Sequence, residues 1–298
     1  MPNGLGVGFE LEVSSGADAS LDILRNSRPL PGVAGTMHSR FHQYHCECDE
    51  CEYDRKDVLF GAQQDCTADG EFISKIFTYG SKRMYASFDS LQTALVDGAA
   101  GVDGAVGNHV HVRRPQDRRQ VPTDVKLGRL FLRYQDELEN FAAASFERVR
   151  RSGCTVKADN IYQGDLDDLK PWRFARQMVR NARINPRPAY YSQAEWDLHQ
   201  QHVARRPVSA LNEIVGGSYL RYGASGQTYE FRLWNSTKSA WRMALHVGLS
   251  VGMTRAAMYG PDDLDLSGSV IDTLKPWLDK ATMENVTRQI DYRARKGF

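Results

Sequence analysis

The sequence predicts an α+β fold with a largely antiparallel sheet. Several short segments alternate apolar and polar residues with the period of two that is typical of strands. Two of these segments are separated only by an Ala-Ser-Gly turn at residues 224–226, which predicts a hairpin. Strands and helices follow one another without strict β-α-β alternation, and this order favours an antiparallel sheet over a parallel one.

The first predicted strand spans residues 4–13. Phe9 and Leu11 alternate there with Glu10 and Glu12, so both carboxylates point to the same face of the strand. The remaining elements are predicted in the following order: a loop with one helical turn over 14–35, strands over 57–66 and 71–78, a short helix over 87–100, a strand over 105–113, a helix over 124–151 capped by Asp124, a hairpin over 217–235, a long helix over 238–259, and two closing helices.

The composition excludes several classes of protein. With 298 residues, 41% of them hydrophobic, the chain is long enough to bury a sizeable core, and we expect a single domain over 1–298. A formal net charge of +1 provides no general attraction for nucleic acid, and no apolar run is long enough for a membrane span. No secretory signal is visible and the cysteine count of five is odd, so we expect a protein of the reducing cytoplasm.

Ionisable side chains occur two residues apart on three predicted strands: Glu10 and Glu12, His109 and His111, and Glu230 and Arg232. One such pair is most often an exposed, solvated face, but three pairs together with Glu71 predict a polar cavity on one face of the sheet. Carboxylates favour Mg²⁺ or Mn²⁺, and a nearby arginine suits a phosphoryl group. Because no GxxxxGK[ST] sequence occurs, any ATP site here lacks a P-loop.

A second concentration of metal-binding residue types lies at about 36–54. It contains His38, His42, His45, Cys46, Cys48 and Cys51. Cys48 and Cys51 have the two-residue spacing of a zinc knuckle, so this His/Cys-rich insert is a candidate structural zinc site. The usual second Cys-x₂-Cys pair is absent, which leaves a solvent-facing loop without metal as the alternative. Cys66 and Cys154 are interpreted as core or otherwise ordinary residues.

Several segments, taken in order, resemble the amidoligase family of carboxylate-amine ligases, which have the glutamine synthetase fold. They are GFELEV, QQDCTADGEFIS, GNHVHV, ALN and TYEFRLWNST, and together they extend over about residues 5–258. The resemblance implies a curved, mainly antiparallel sheet that forms a funnel and is packed against helices. It also implies that ATP phosphorylates a substrate carboxylate, and that an amine then displaces phosphate to give an amide or peptide bond.

The resemblance also implies roles for individual residues. Glu10, Glu12, Glu71, His109 and Glu230 match the metal positions, His111 matches a position beside the nucleotide, and Arg232 matches the arginine that holds phosphate. Asp65 matches an acidic position of uncertain role. Arg206 is one residue out of step with the family pattern, which makes Arg221 an alternative source of positive charge. The catalytic expectation therefore rests on Arg232 and His111, with ATP also contacted by Arg221.

The remaining expectations concern a cover over the site, the substrate and source of the protein, and two alternative functions. The Arg-rich segment at about 152–212 is predicted to be an irregular, partly helical cover that excludes water from the acyl phosphate. The family suggests a peptide or cell-wall substrate and a phage or bacterial source, with the host cytoplasm as the location for a phage protein. Two other functions remain open: phosphotransfer to a guanidino group on a related sheet, and a binding or assembly protein that has lost turnover.

Overall fold

The computed structural model describes residues 4–26, 60–63, 68–102, 106–116, 119–142, 211, 220–223 and 226–297. The strands in these ranges are β1 (Gly6–Val13), β2 (Phe60–Gln63), β3 (Gly70–Ser74), β4 (Phe77–Thr78), β5 (Gly107–Arg113), β6 (Leu220–Tyr222) and β7 (Thr228–Asn235). The helices are α1 (Ala17–Asn26), α2 (Lys82–Asp97), α3 (Gln120–Ala142), α4 (Ala240–Tyr259), α5 (Val270–Leu274) and α6 (Lys280–Lys296), with a 3₁₀ turn at Lys275–Trp277.

The described strands form one open sheet in the order β2-β3-β1-β5-β7-β6, and the short β4 pairs with the beginning of β1. Every described pairing is antiparallel. Strand β1 therefore lies in the interior of the sheet and contacts three other strands. The predicted α+β class with an antiparallel sheet is confirmed.

One face of the sheet is apolar and is covered by helices. Val7, Phe9, Leu11 and Val13 of β1 are all buried on this face, and the Phe9 ring packs at 5.2 Å from Phe88 of α2. Because side chains alternate along a strand, the opposite face receives Gly8, Glu10 and Glu12. The apolar burial on the helical face therefore determines which way the carboxylates point.

Helix α4 is the centre of the helical layer. It packs against α2, α3, α6 and β5, and nearly all its residues from Met243 to Ala257 are buried. Its weak amphipathicity follows from this position, since a helix surrounded by protein needs no polar face. Two glycines permit close approach: a Cβ at Gly248 would collide with Thr282, and one at Gly252 with Leu278.

Four sequence predictions need correction in detail. Helix α1 extends over ten residues where only one helical turn was expected, because its apolar side, including Leu21, packs on the core. The strand expected over 71–78 is split into β3 and β4, and the helix expected from 87 begins at Lys82 after its N-cap Ser81. Asp124 is not a cap, because it is buried inside α3, which begins four residues earlier.

The long helix after the hairpin and the two closing helices α5 and α6 are confirmed. Within the part of the chain that the structure describes, no helix is both long enough and apolar enough to span a membrane. The proposed His/Cys-rich insert at about 36–54 and the proposed cover at about 152–212 lie outside the described residues, apart from Leu211, which is buried in the core.

Candidate metal centre

Eight ionisable side chains gather on the polar face of the sheet. They are the carboxylates Glu10, Glu12, Glu71 and Glu230, the imidazoles His109 and His111, and the guanidinium groups Arg221 and Arg232. All eight were singled out from the sequence, and the structure brings them together from five strands. Their side chains lie on the face opposite the helices because each alternates with a buried apolar neighbour.

The register of the sheet produces these contacts. Glu10 is the cross-strand partner of His109, and Glu12 is the partner of Glu71. Glu230 lies between His111 on one side and Arg221 on the other. Directly opposed residues have Cβ atoms roughly 5 Å apart, so side chains from five neighbouring strands converge without any long reach.

Strand β7 contains a β-bulge opposite His109, next to Arg232. The pairing passes from Val110 opposite Phe231 to Asn108 opposite Trp234, so His109 alone faces two residues of β7. Those two residues are Arg232 and Leu233. The extra residue changes the direction of the strand locally, and it returns Trp234 to the buried face while Arg232 stays beside Glu230, with Nη1 at 3.6 Å from Oε1.

His109 occupies the middle of the carboxylates. Its Nδ1 lies 3.0 Å from Glu10 Oε2, and 3.9 Å from one oxygen each of Glu71 and Glu230. Its Nε2 lies 3.5 Å from Glu12 Oε1 but has no hydrogen-bond partner, although the side chain is only 5% exposed. A buried ring nitrogen directed at a carboxylate without bonding to it is a ligand atom available to a metal.

Glu10 connects the two histidines. Its Oε2 contacts His109 Nδ1, and its Oε1 lies 3.0 Å from His111 Nε2. Burial raises the pKa of the Glu10 carboxyl, but the hydrogen bonds and charges of the two imidazoles outweigh burial and lower it well below its usual range. Burial by itself would lower the pKa of the His111 imidazole. The neighbouring carboxylates of Glu10 and Glu230 outweigh burial and raise this pKa. The pair therefore favours a charged imidazolium beside a charged carboxylate.

Glu12 is fixed in place by the main chain. Its Oε2 accepts a 2.6 Å hydrogen bond from the Gly107 N–H, and its carbonyl oxygen accepts one of 2.6 Å from the Ser236 hydroxyl. The other oxygen, Oε1, remains directed toward His109. A carboxylate held in this way loses little further side-chain freedom when it binds an ion.

Two groups of three side chains have the spacing of a metal site. Ligand atoms of Glu10, His109 and Glu230 lie within 4.8 Å of one another, and so do those of Glu12, Glu71 and His109. Four carboxylates packed this closely repel one another unless cations intervene. The donor set, mostly oxygen with imidazole, fits Mg²⁺ or Mn²⁺. The residues present therefore fit a divalent metal.

A polar cluster behind the sheet was missed by the sequence analysis. Asp124 of α3 accepts hydrogen bonds from the hydroxyls of Tyr222 and Tyr229, the latter at 2.7 Å. The Arg114 guanidinium stacks on the Tyr222 ring at 3.9 Å from its centroid. Tyr222 is the chain neighbour of Arg221, so this cluster anchors the edge strand from which Arg221 reaches Glu230.

The alternation of residues along the two hairpin strands could have predicted part of this cluster. Tyr222 and Tyr229 are out of phase with Arg221 and Glu230, which places the two tyrosines on the helical face. A buried tyrosine hydroxyl needs a partner, but only the tertiary fold supplies Asp124, about a hundred residues away in the chain.

Several predicted site residues lie outside the described part of the chain. These are Asp65, Arg206 and the zinc candidates His38, His42, His45, Cys46, Cys48 and Cys51. In comparisons with known proteins, no family model matches the chain, and no curated protein sequence matches it.

Proposed function

We propose that this protein is an ATP- and divalent-metal-dependent ligase that joins a carboxylate to an amine. The observation that supports this most directly is the convergence of four carboxylates, two imidazoles and two guanidinium groups on one polar face of an antiparallel sheet. In this proposal the sheet is the curved funnel of the glutamine synthetase fold, and the sequence resemblance to amidoligases supports that finer assignment.

The exposed fractions of the side chains suggest separate roles for the buried carboxylates and for the arginines. Glu12, Glu71, His109 and Glu230 have side chains that are at most 8% exposed, whereas Arg232 is 30% and Arg221 43% exposed. Metal ions would be held by the buried carboxylates and His109, where they would offset the negative charge of nucleotide phosphates. The two arginines lie nearer the rim, where they can contact phosphoryl oxygens directly.

Charge neutralisation is the main catalytic requirement of the proposed reaction. A carboxylate oxygen of the substrate attacks the γ-phosphorus of ATP, and the bond from that phosphorus to the ADP oxygen breaks. The attacking and attacked groups are both anionic, so Arg232 would stabilise the charge that develops between them. His111, whose Nε2 lies 3.0 Å from Glu10 Oε1, would contact the nucleotide from beside the metal ligands.

In the second step the amine nitrogen attacks the acyl carbon. The bond from that carbon to the phosphate oxygen breaks, inorganic phosphate leaves, and the nitrogen loses a proton. The acyl phosphate must be kept from water until then. We assign this covering role to the segment at about 152–212, and we assign a structural zinc ion to the His/Cys-rich insert at about 36–54, in both cases on sequence grounds.

Phosphate release is the direct test of this proposal. Purified protein is incubated with ATP, Mg²⁺ and a pool of amino acids, peptides and cell-wall precursors, and we expect phosphate release that requires both a carboxylate and an amine. Hydroxylamine, supplied as the amine, should trap the acyl phosphate as a hydroxamate. Glu230→Gln and Arg232→Gln should each lower turnover by about 10²-fold or more. The exposed Glu284→Gln variant is the matched control and should keep full turnover.

A guanidino-group phosphotransferase is the second candidate. The Arg221 guanidinium forms two hydrogen bonds of 2.8 Å with Glu230, so the geometry of this carboxylate suits a guanidinium ligand as well. The same assay distinguishes the candidates, because a phosphorylated guanidine would then accumulate without any amide. Nucleotide binding with neither product would favour a binding protein without turnover.

A further inference from the structure

Arg114 is a buried, charged side chain on the helical face of the sheet. It follows β5 directly, and its main-chain N–H donates to the Gln227 carbonyl oxygen at 3.1 Å. The residue is 2% exposed, all three guanidinium nitrogens are buried, and no described residue accepts a hydrogen bond from any of them. Because buried polar groups are nearly always hydrogen-bonded in folded proteins, this arrangement indicates a binding site for an acceptor.

The neighbouring carboxylate of Asp124 does not provide this acceptor. Its Oδ1 accepts the Tyr229 hydroxyl at 2.7 Å, and its Oδ2 accepts the Tyr222 hydroxyl. Burial is the largest influence on this carboxyl and raises its pKa to about 6, although the charge of Arg114 acts in the opposite direction. Asp124 therefore offsets part of the guanidinium charge but forms no hydrogen bond with it.

The surroundings of Arg114 favour an anion over a water molecule. Its unpartnered atoms are all donors and belong to a group that is always positively charged. A water molecule can accept from these donors but leaves the charge uncompensated, whereas an anion does both. The first turn of α3 adds partial positive charge, since it holds no acidic residue and its Gln120 side chain hydrogen-bonds the Tyr222 hydroxyl beside Arg114.

The packing of the guanidinium leaves its edge for the ligand. Its central carbon lies 3.9 Å from the centre of the Tyr222 ring, so the ring covers one face of this planar group. The N–H bonds point outward in the plane of the group, where one ion can accept from two nitrogens at once. Because Arg114 is so deeply buried, only a small ion can reach this edge without displacing the residues around it.

We propose that Arg114 binds one small monovalent anion, such as chloride, at the edge of its guanidinium. The ion would complete the cluster that Arg114 forms with Asp124, Tyr222 and Tyr229, and it would stabilise the edge strand β6 through Tyr222. This site is separate from the metal cluster, because side chains alternate along β5 and Arg114 lies on the face opposite His109. The proposal concerns binding and stability and does not depend on the ligase function.

The test is urea unfolding of metal-free, nucleotide-free protein at constant ionic strength, with sodium gluconate replaced stepwise by sodium chloride. Gluconate is too large to enter the site. If one chloride binds only the folded protein, each tenfold rise in chloride well above its Kd should lower the unfolding equilibrium constant about tenfold. Sodium bromide should act like chloride. An unfolding constant that is the same in chloride and gluconate would overturn the proposal.

Two variants locate the effect. Arg114→Gln removes the charge but keeps a polar side chain, and it should abolish the difference between chloride and gluconate. Arg113→Gln is the matched control, because Arg113 is the exposed neighbour at the end of β5 and points to the other face. This control should keep the full chloride dependence. Retention of the dependence in Arg114→Gln, or equal loss in Arg113→Gln, would contradict the assignment.

A measurement on the parent protein settles the location even if Arg114→Gln fails to fold. Crystals soaked in sodium bromide should show an anomalous-scattering peak at hydrogen-bonding distance from the Arg114 guanidinium, in its plane. The peak should disappear when the soak contains excess chloride, which competes for the same place. The absence of a bromide peak beside Arg114 would overturn the proposal, whatever the effect of chloride on unfolding.

Discussion

Arg221 and Glu230 are cross-strand neighbours joined by two hydrogen bonds of 2.8 Å. The Glu230 side chain is 3% exposed, so the guanidinium offsets a charge that burial disfavours. The same carboxylate belongs to the group formed by Glu10, His109 and Glu230. Arg221 therefore occupies both oxygens of a candidate metal ligand and competes with any cation that binds there.

The competition predicts opposite effects of Arg221→Gln on metal affinity and on stability. Manganese should bind several-fold more tightly, because Glu230 no longer has to share its oxygens. The metal-free protein should lose about 1–3 kcal/mol of unfolding free energy, because a buried acceptor loses its partner. Mn²⁺ titration followed by electron paramagnetic resonance, and denaturant unfolding in EDTA, measure the two quantities.

Lys280→Gln serves as the control for Arg221→Gln. Lys280 pairs with Glu284 on the exposed surface of α6, and its side chain is 93% exposed, so its removal should change neither quantity. Weaker manganese binding in Arg221→Gln would mean that the arginine supports the metal site rather than competing with it.

The two groups of ligands predict two metal ions per chain. Glu71 belongs only to the group with Glu12, and Glu230 only to the group with Glu10, whereas His109 belongs to both. Glu71→Gln and Glu230→Gln should therefore each reduce the Mn²⁺ stoichiometry from two to one, and His109→Asn should weaken mainly the site with Glu12, toward which Nε2 is directed. Equilibrium binding with free Mn²⁺ counted by electron paramagnetic resonance gives the number, and a wild-type value of one would exclude this arrangement.

The alternation of single strands was sufficient to predict which side chains of the cluster share a face. Glu10 with Glu12, and His109 with His111, follow from a period of two and from apolar neighbours that had to be buried. The sequence could not predict the strand order, which places β1 between β3 and β5. That order depends on long-range pairing, for which no local pattern exists.

Local patterns failed where tertiary contacts decide the outcome. The bulge opposite His109 is not apparent in the letters EFRLWN, yet it is what returns Trp234 to the buried face three residues after Phe231. Asp124 has the residue type and position of a helix cap, but helix α3 begins earlier and the side chain binds two tyrosines. In both cases the partner lies far away in the chain.

The His/Cys-rich insert at about 36–54, which is outside the described residues, is predicted to bind one zinc ion. Elemental analysis of protein produced without added metal should find about one equivalent of zinc. The double substitution Cys48→Ser with Cys51→Ser should remove it, because thiolates are the stronger zinc ligands. Cys66→Ser and Cys154→Ser are the controls and should retain the metal; a parent protein without zinc would contradict the prediction.

The buried carboxyl of Asp124 predicts a pH dependence of stability. Burial is the largest influence and raises its pKa to about 6, although the tyrosine hydroxyls and Arg114 act in the opposite direction. The ordinary value for the unfolded chain is 3.8. Between these two values the folded protein holds a proton that the unfolded chain releases, so raising the pH through this window favours unfolding.

The Asp124→Asn variant isolates this contribution, since an amide of the same shape cannot ionise. The unfolding free energy of the parent minus that of the variant should be largest below pH 3.8 and should fall by about 3 kcal/mol in all as the pH rises from there to 7. Denaturant unfolding in EDTA at several pH values provides the comparison. A difference that is constant with pH would show that Asp124 titrates with its ordinary pKa, and a difference that grows with pH would show that its partners stabilise the anion more than burial disfavours it.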